Sequence, residues 1–232
     1  MNILINRLTI SKNLLIFVFS LLAYSSTFAQ DTTINLDELI NETQHMSEDP
    51  DVMRLVWYIP IEYWKATFEG DPTISQKEVE EIIDVLDDYE MFAMLDGTFG
   101  VFGNIKYKEK SETKRGLTLE TSNGIKYYPL DDNEINDETL TLLSLMQPIL
   151  TGMMGAMGEN MQFFLFKGKN ADQRLLDPLK PNNFKVNMME ESFNFELPLA
   201  ALLPPKFCPE DNKKMKGTWS YCPFHGVELK GN

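Results

Sequence analysis

The chain is poor in the residues that most enzyme chemistry relies on. It holds 2 histidines and 2 cysteines in 232 residues. Two histidines leave few resources for histidine-dependent nucleophilic catalysis, and no Gly-x-Ser-x-Gly elbow is present. There is no phosphate loop and no dinucleotide fingerprint. Positive charge is also scarce: 21 Lys and Arg stand against 35 Asp and Glu, for a net −14. That balance argues against nucleic acid and anionic lipid as partners. Carboxylates are plentiful, but no spacing singles out a pair for glycoside hydrolysis.

Long apolar runs are missing too. Leu14 to about Ala23 is too short for the roughly 20 residues that span a bilayer. Arg7 and Lys12 precede it, and Thr27-Phe28-Ala29 follows, ending in a small residue. This is the pattern of a secretory signal peptide over residues 1–29, cut before Gln30. Loss of Arg7 and Lys12 takes the net charge from −14 to −16. The expected location is periplasmic or secreted, with no stable membrane span after cleavage. Its layout reads as bacterial.

The predicted fold class is α+β: N-terminal helices on a largely antiparallel sheet, then a small C-terminal element. The domain reading is 30–203 for the α+β body and 204–232 for linker and terminal element. Within the body, 34–90 is read as helical and 91–200 as mainly β, with a helix near 138–158. Ile34 to Ile40 suggests a first short helix. Val52, Leu55, Val56 and Ile59 follow Pro50 at helical spacing, and Ile61, Trp64 and Phe68 continue it. Ser75-Gln76-Lys77-Glu78 is a capping box ahead of Val79, Ile82, Ile83 and Leu86.

After Glu90 the pattern predicts a meander. Met91–Leu95 and Thr98–Phe102 are read as strands about an Asp96-Gly97 turn. Leu117–Leu119 and Ile125–Tyr128 flank Ser122-Asn123-Gly124. No charged residue occurs from Thr139 to Gly158. That segment reads as a buried helix kinked or broken at Pro148, with Gly152, Gly155 and Gly158 allowing close backbone approach. A mobile Met/Gly-rich flap is the functional alternative. Strands are expected at 161–167, 184–188 and 192–197.

The strongest motif is a doubled Cys-Pro turn. Phe207-Cys208-Pro209-Glu210-Asp211-Asn212 is matched by Tyr221-Cys222-Pro223-Phe224-His225-Gly226. Cys208 and Asp211 are three apart, as are Cys222 and His225. Such a turn aims two ligands at one centre, proline presets φ, and Asn212 or Gly226 tolerates a left-handed backbone. The candidate ligands are Cys208, Asp211, Cys222 and His225, with Glu210 or a water as alternatives to Asp211.

Residues 207–229 resemble the zinc-ribbon and rubredoxin-type knuckles, whose pattern is two Cys-Pro-x-Cys-Gly turns. The resemblance implies a structural zinc with a closed ligand shell. His225 and Asp211 stand where the family has cysteines. Zinc accepts histidine readily, whereas a carboxylate is less usual in a structural site. The second turn also looks like a Rieske ligand box, but such a cluster needs two Cys and two His. Glu210 stands where the first box needs histidine, and His45 is far upstream. A Cys208–Cys222 disulfide is the competing reading in an oxidising compartment.

Three further features are weighed. The run Asp131 to Glu138 is rich in oxygen ligands but has no glycine and places Ile135 at a ligand position, unlike a calcium loop. His45 reads as a surface residue. Trp57, Tyr58, Tyr63 and Trp64 read as core, with a ligand groove as the alternative. The functional expectation is a non-enzymatic binding or assembly module of the bacterial envelope, with a protein or small-molecule partner. The alternative is a hydrolase using carboxylate acid/base chemistry beneath the Met/Gly-rich segment.

Overall fold

The computed structural model describes residues 34–69, 71–171 and 173–231. The expected signal peptide lies outside them. The described chain is α+β, as the sequence pattern predicts.

Its centre is an antiparallel sheet buried on both faces. Strands β1 (Gln44–Met46), β2 (Val52–Ile59) and β3 (Tyr89–Phe99) pair in that order. The far side of β3 pairs with β4 (Ile105–Tyr107) at one end and β7 (Gln162–Lys167) at the other. A second sheet has the order β11 (Glu191–Leu197), β10 (Asn182–Met188), β5 (Leu117–Thr121), β6 (Lys126–Tyr127). Two short strands, β8 (Lys169–Asn170) and β9 (Gln173–Arg174), pair with each other.

Side chains alternate across a strand, so each strand of the central sheet feeds two cores. Val56, Tyr58, Phe92, Met94, Phe164 and Phe166 face the second sheet and meet Leu119, Phe184, Val186, Phe193 and Phe195. Phe184 and Phe195, directly opposite across β10 and β11, stack with centroids 4.7 Å apart. Leu55, Trp57, Ile59, Met91, Ala93, Leu95, Phe163 and Leu165 face a layer of helices. That layer comprises α2 (Ile61–Glu69), α3 (Gln76–Leu86) and α5 (Asp137–Met154), which contribute Trp64, Leu86 and Leu143. Helix α1 (Leu36–Thr43) instead buries Leu39 in the inter-sheet core.

Several expectations hold in detail. Ser75 and Glu78 form the reciprocal capping box, with Ser75 Oγ accepting from Glu78 N at 3.3 Å. The hairpins 117–127 and 182–197 form, and the first turns at Gly124, φ +81°.

Others require correction. Val52–Ile59 is a strand, not a helix, so 34–90 is not uniformly helical. Its apolar residues fill both faces because both faces are covered. Asp96-Gly97 is not a turn; β3 runs through it to Phe99. The helix α5 is not broken at Pro148, which lies inside it, but continues to Met154 and ends at Gly155, φ +58°. It is also not a buried helix, since Leu143 packs on the core while Leu145 and Ile149 are exposed. A short helix α4 (Lys110–Arg115), absent from the predicted pattern, joins β4 to β5. Only Gly158 of the three glycines shows close approach: within α6 (Ala156–Glu159), an added Cβ would collide with Leu150 O.

Candidate metal centre

The C-terminal segment folds as two matched turns on a three-stranded ribbon. Its strands are β12 (Lys206–Phe207), β13 (Lys214–Met215) and β14 (Lys230–Gly231), with β12 central. In the first turn Asn212 N donates to Cys208 O (2.8 Å) and Cys208 N donates to Lys213 O (3.0 Å). In the second, Gly226 N donates to Cys222 O (2.8 Å) and Cys222 N donates to Val227 O (2.8 Å). Asn212 and Gly226 take φ +56° and +67°. The doubled sequence thus gives a doubled backbone, bond for bond.

Both turns aim backbone N–H groups at sulfur. The amides of Glu210 and Asp211 face Cys208, and those of Phe224 and His225 face Cys222. Burial pushes both thiols up. At Cys222 the two amides, His225 and Cys208 outweigh it and hold the thiol below its usual range. Cys208 stays above its usual range because burial dominates there.

Cys208, Cys222 and His225 come together, their ligand atoms all within 4.8 Å of one another. His225 Nδ1 lies 3.3 Å from Cys208 Sγ and 3.5 Å from Cys222 Sγ. A tetrahedral zinc with Zn–S about 2.3 Å and Zn–N about 2.0–2.1 Å sets the S···N edge at roughly 3.5 Å. The donor set and spacing therefore fit such an ion. The two cysteines are free thiols, not a disulfide. Asp211 stands outside this three-residue group. Its Oδ1 accepts from Lys213 N at 3.0 Å, which, with Cys208 and His225 nearby, holds its carboxyl below the usual range.

The ribbon has very little core of its own. Cys208, Met215, Cys222 and Leu229 are its buried residues, with Val227 against them. Trp219, Tyr221 and Phe224 remain exposed, and Lys213 Nζ sits 4.4 Å over the Phe224 ring. Lys216 reaches Glu42 of α1 at 3.3 Å.

No family model matches this chain, and neither does any curated protein or solved structure with which it was compared. The site must be judged on its own chemistry.

The other sequence candidates fall elsewhere. Asp131 to Glu138 forms a 3-10 turn and the start of α5, with Asn136 Oδ1 accepting from Thr139 N at 2.7 Å. His45 is half-buried, not a free surface residue. Its ring meets Phe195 edge-on at 4.5 Å, and burial lowers its pKa. Trp57, Tyr58 and Trp64 are core residues, and Tyr63 packs between Trp57 and Trp64.

Sequence reasoning missed two buried charge clusters, both between the sheets. At one end, Glu90 accepts from Tyr58 Oη (3.1 Å) and from Leu176 N (3.0 Å). Burial raises its pKa to about 8. Arg174 beside it grips Glu62 at 2.6 and 3.3 Å. At the other end, Asp96 takes Arg54 at 3.2 Å and Lys108 at 3.0 Å, and Arg54 also reaches Glu191 at 2.9 Å. Single acids inside apolar strands give no spacing signal. Neither carboxylate lies in the Met/Gly-rich segment 148–160.

Proposed function

We propose that this protein is an exported, non-enzymatic binding or assembly module of the bacterial envelope whose C-terminal ribbon is closed by a structural zinc. The convergence of Cys208, Cys222 and His225 carries the reading. A unit with four buried side chains cannot hold itself by hydrophobic burial, and small folds of this kind use a metal or disulfide. Amides aimed at both sulfurs work toward the thiolate, the form that binds metal, and at Cys222 they and its neighbours prevail over burial.

Cys208, Cys222 and His225 would hold the ion, and Asp211 would supply the fourth ligand. It occupies in the first turn the place of His225 in the second. Zinc would there contribute folding energy, with no coordination position left for substrate. The exposed Trp219, Tyr221 and Phe224 support a binding role for the ribbon, since aromatic side chains dominate recognition surfaces.

The test is metal content. Purified protein should carry one equivalent of zinc, His225→Ala should lose it, and Asp211→Asn should weaken it while retaining Cys-dependent binding. Metal-free protein without titratable thiols would replace zinc by the disulfide. Fractionation of the producing cell tests export: the chain recovered outside the cytoplasm should begin at Gln30.

A further inference from the structure

The second sheet ends in an open edge. Among the described residues β11 pairs with β10 on one side and with no strand on the other. The hairpin between them turns on Met189 and Glu190, with Met188 opposite Glu191. A two-residue loop is closed by a hydrogen-bonded pair, and bonded pairs alternate along an antiparallel ladder. Glu191, Phe193, Phe195 and Leu197 therefore turn their N–H and C=O groups to β10. Met189 N fits this alternation, since it donates the other way, to Gly116 O ahead of β5. Ser192, Asn194 and Glu196 are left with three N–H and three C=O groups pointing off the edge. Among the described residues no hydrogen bond reaches any of these six groups.

The edge also lacks the devices that keep strands apart. Edge strands are guarded by shortness, by lysine or proline, by bulges or by a covering segment. Strand β11 runs seven residues in an unbroken one-to-one register, from Met188 against Glu191 to Asn182 against Leu197. It contains no lysine, and proline comes only after it, at Pro198. Its three outward residues are exposed. The other edges are guarded: β1 and β4 are three residues long, β6 is two, and Leu130 N donates to Leu165 O of β7.

Symmetry says what fits there. A two-fold axis through Asn194 sets Asn194 against itself and Ser192 against Glu196 in both directions. The six free groups of each copy then satisfy the six of the other. An axis moved to Phe193 sets Glu196 against Glu190 of the turn, acid on acid. One moved to Phe195 sets Ser192 against Pro198, which has no N–H. Charge along the seam is compatible with the central axis. Glu196 meets a hydroxyl, and the second copy's Glu196 lies four residues along, about 13 Å away. Glu191 is held by Arg54 at 2.9 Å, and Lys185, opposite Asn194, by Glu120 at 3.0 Å. Exposed Glu190 stands diagonal to the second copy's Glu196, so the seam keeps a small acid excess that salt screens.

We propose that a second copy of this chain pairs β11 to β11 about Asn194, joining the two four-stranded sheets into one antiparallel sheet. This is independent of the metal-closed ribbon and of any envelope role.

Sedimentation equilibrium of the purified protein over a range of concentrations tests it. The mass should double, and the dimer should tighten as salt rises. Asn194→Pro removes an outward N–H that has no partner within the chain, so the fold is kept while dimerisation weakens by at least about tenfold. Asn194→Ala should dimerise as the parent does, because the pairing is main chain. Ser192→Glu, set against Glu196, should weaken the dimer at low salt and recover at high salt. If the proline unfolds β11, that salt-reversible loss decides alone. A protein that stays monomeric overturns the proposal. If amide exchange at Ser192, Asn194 and Glu196 is slow in that monomer, the edge belongs to another stretch of the same chain. A dimer indifferent to Asn194→Pro and to Ser192→Glu overturns it as well, and places the interface elsewhere.

Discussion

Glu90 gives the fold a stability that falls as pH rises. Its folded pKa stands at about 8, raised from 4.5 chiefly by burial between the two sheets. In the unfolded chain it titrates in the ordinary carboxylate range. The folded state therefore holds a proton that the unfolded state has released, across the window from about 4.5 to 8. Stability from this group is fully present below that window and is lost as pH rises through it. At about 1.4 kcal/mol per pH unit, the span amounts to roughly 4–5 kcal/mol. Other carboxylates with lowered pKa, such as Asp71 and Glu78, contribute in the opposite sense. The clean measurement is thus a difference. Glu90→Gln keeps an acceptor for Leu176 N and a polar partner for Tyr58 Oη but carries no titrating proton. Urea unfolding of both proteins from pH 5 to 9 should show the variant gaining on the parent with each unit, until the gap flattens above about pH 8. A gap that does not change with pH would refute the reasoning, and so would one that moves in the opposite direction.

Four further outcomes follow from the geometry. Asp96→Ala leaves Arg54 and Lys108 without their shared carboxylate and should cost about 3–5 kcal/mol in urea unfolding, as breaking a buried pair does. Gly158→Ala sets a methyl against Leu150 O and should cost about 1–3 kcal/mol, read as a lowered melting temperature. Gly226→Ala forces a β-carbon into φ +67° and should weaken zinc binding by chelator competition, by about 1–2 kcal/mol, while Asn212→Gly should leave it nearly unchanged. Chelator treatment should unfold the ribbon and leave the near-ultraviolet signal of the two-sheet core intact, because Trp57, Tyr58 and Trp64 lie in the body.

What the sequence revealed depends on how local each signal is. The knuckles were legible because ligand identity, proline and the left-handed position all fall within six residues. The capping box at Ser75 and the turn at Asn123-Gly124 were legible for the same reason. The strand Val52–Ile59 was not. Its partners on one face belong to a sheet whose first strand begins only at Leu117, and on the other to three helices. With both faces apolar, the alternation that marks a strand disappears, and the remaining apolar spacing mimics a helix. The β-branched and aromatic content of Leu55-Val56-Trp57-Tyr58-Ile59 was the signal available. Glu90 and Asp96 carried no comparable mark, because their partners Leu176, Arg54 and Lys108 are brought together only by the sheets. Asp211 was half legible: its place in the motif matches His225, while its side chain satisfies Lys213 N.

The two buried charge clusters also bear on strand alignment. The central sheet is apolar on both faces, so hydrophobicity alone would tolerate β3 sliding by one residue against β2. Such a slip inverts every side chain of the strand. Glu90 and Asp96 would then leave Tyr58, Leu176, Arg54 and Lys108 and enter the helix-facing layer of Trp57, Ile59, Leu143 and Phe163. There a carboxylate would meet only hydrocarbon and indole. Placed near opposite ends of one strand, the two acids act as paired locating pins: the sheet closes in one alignment because the neighbouring one strands both.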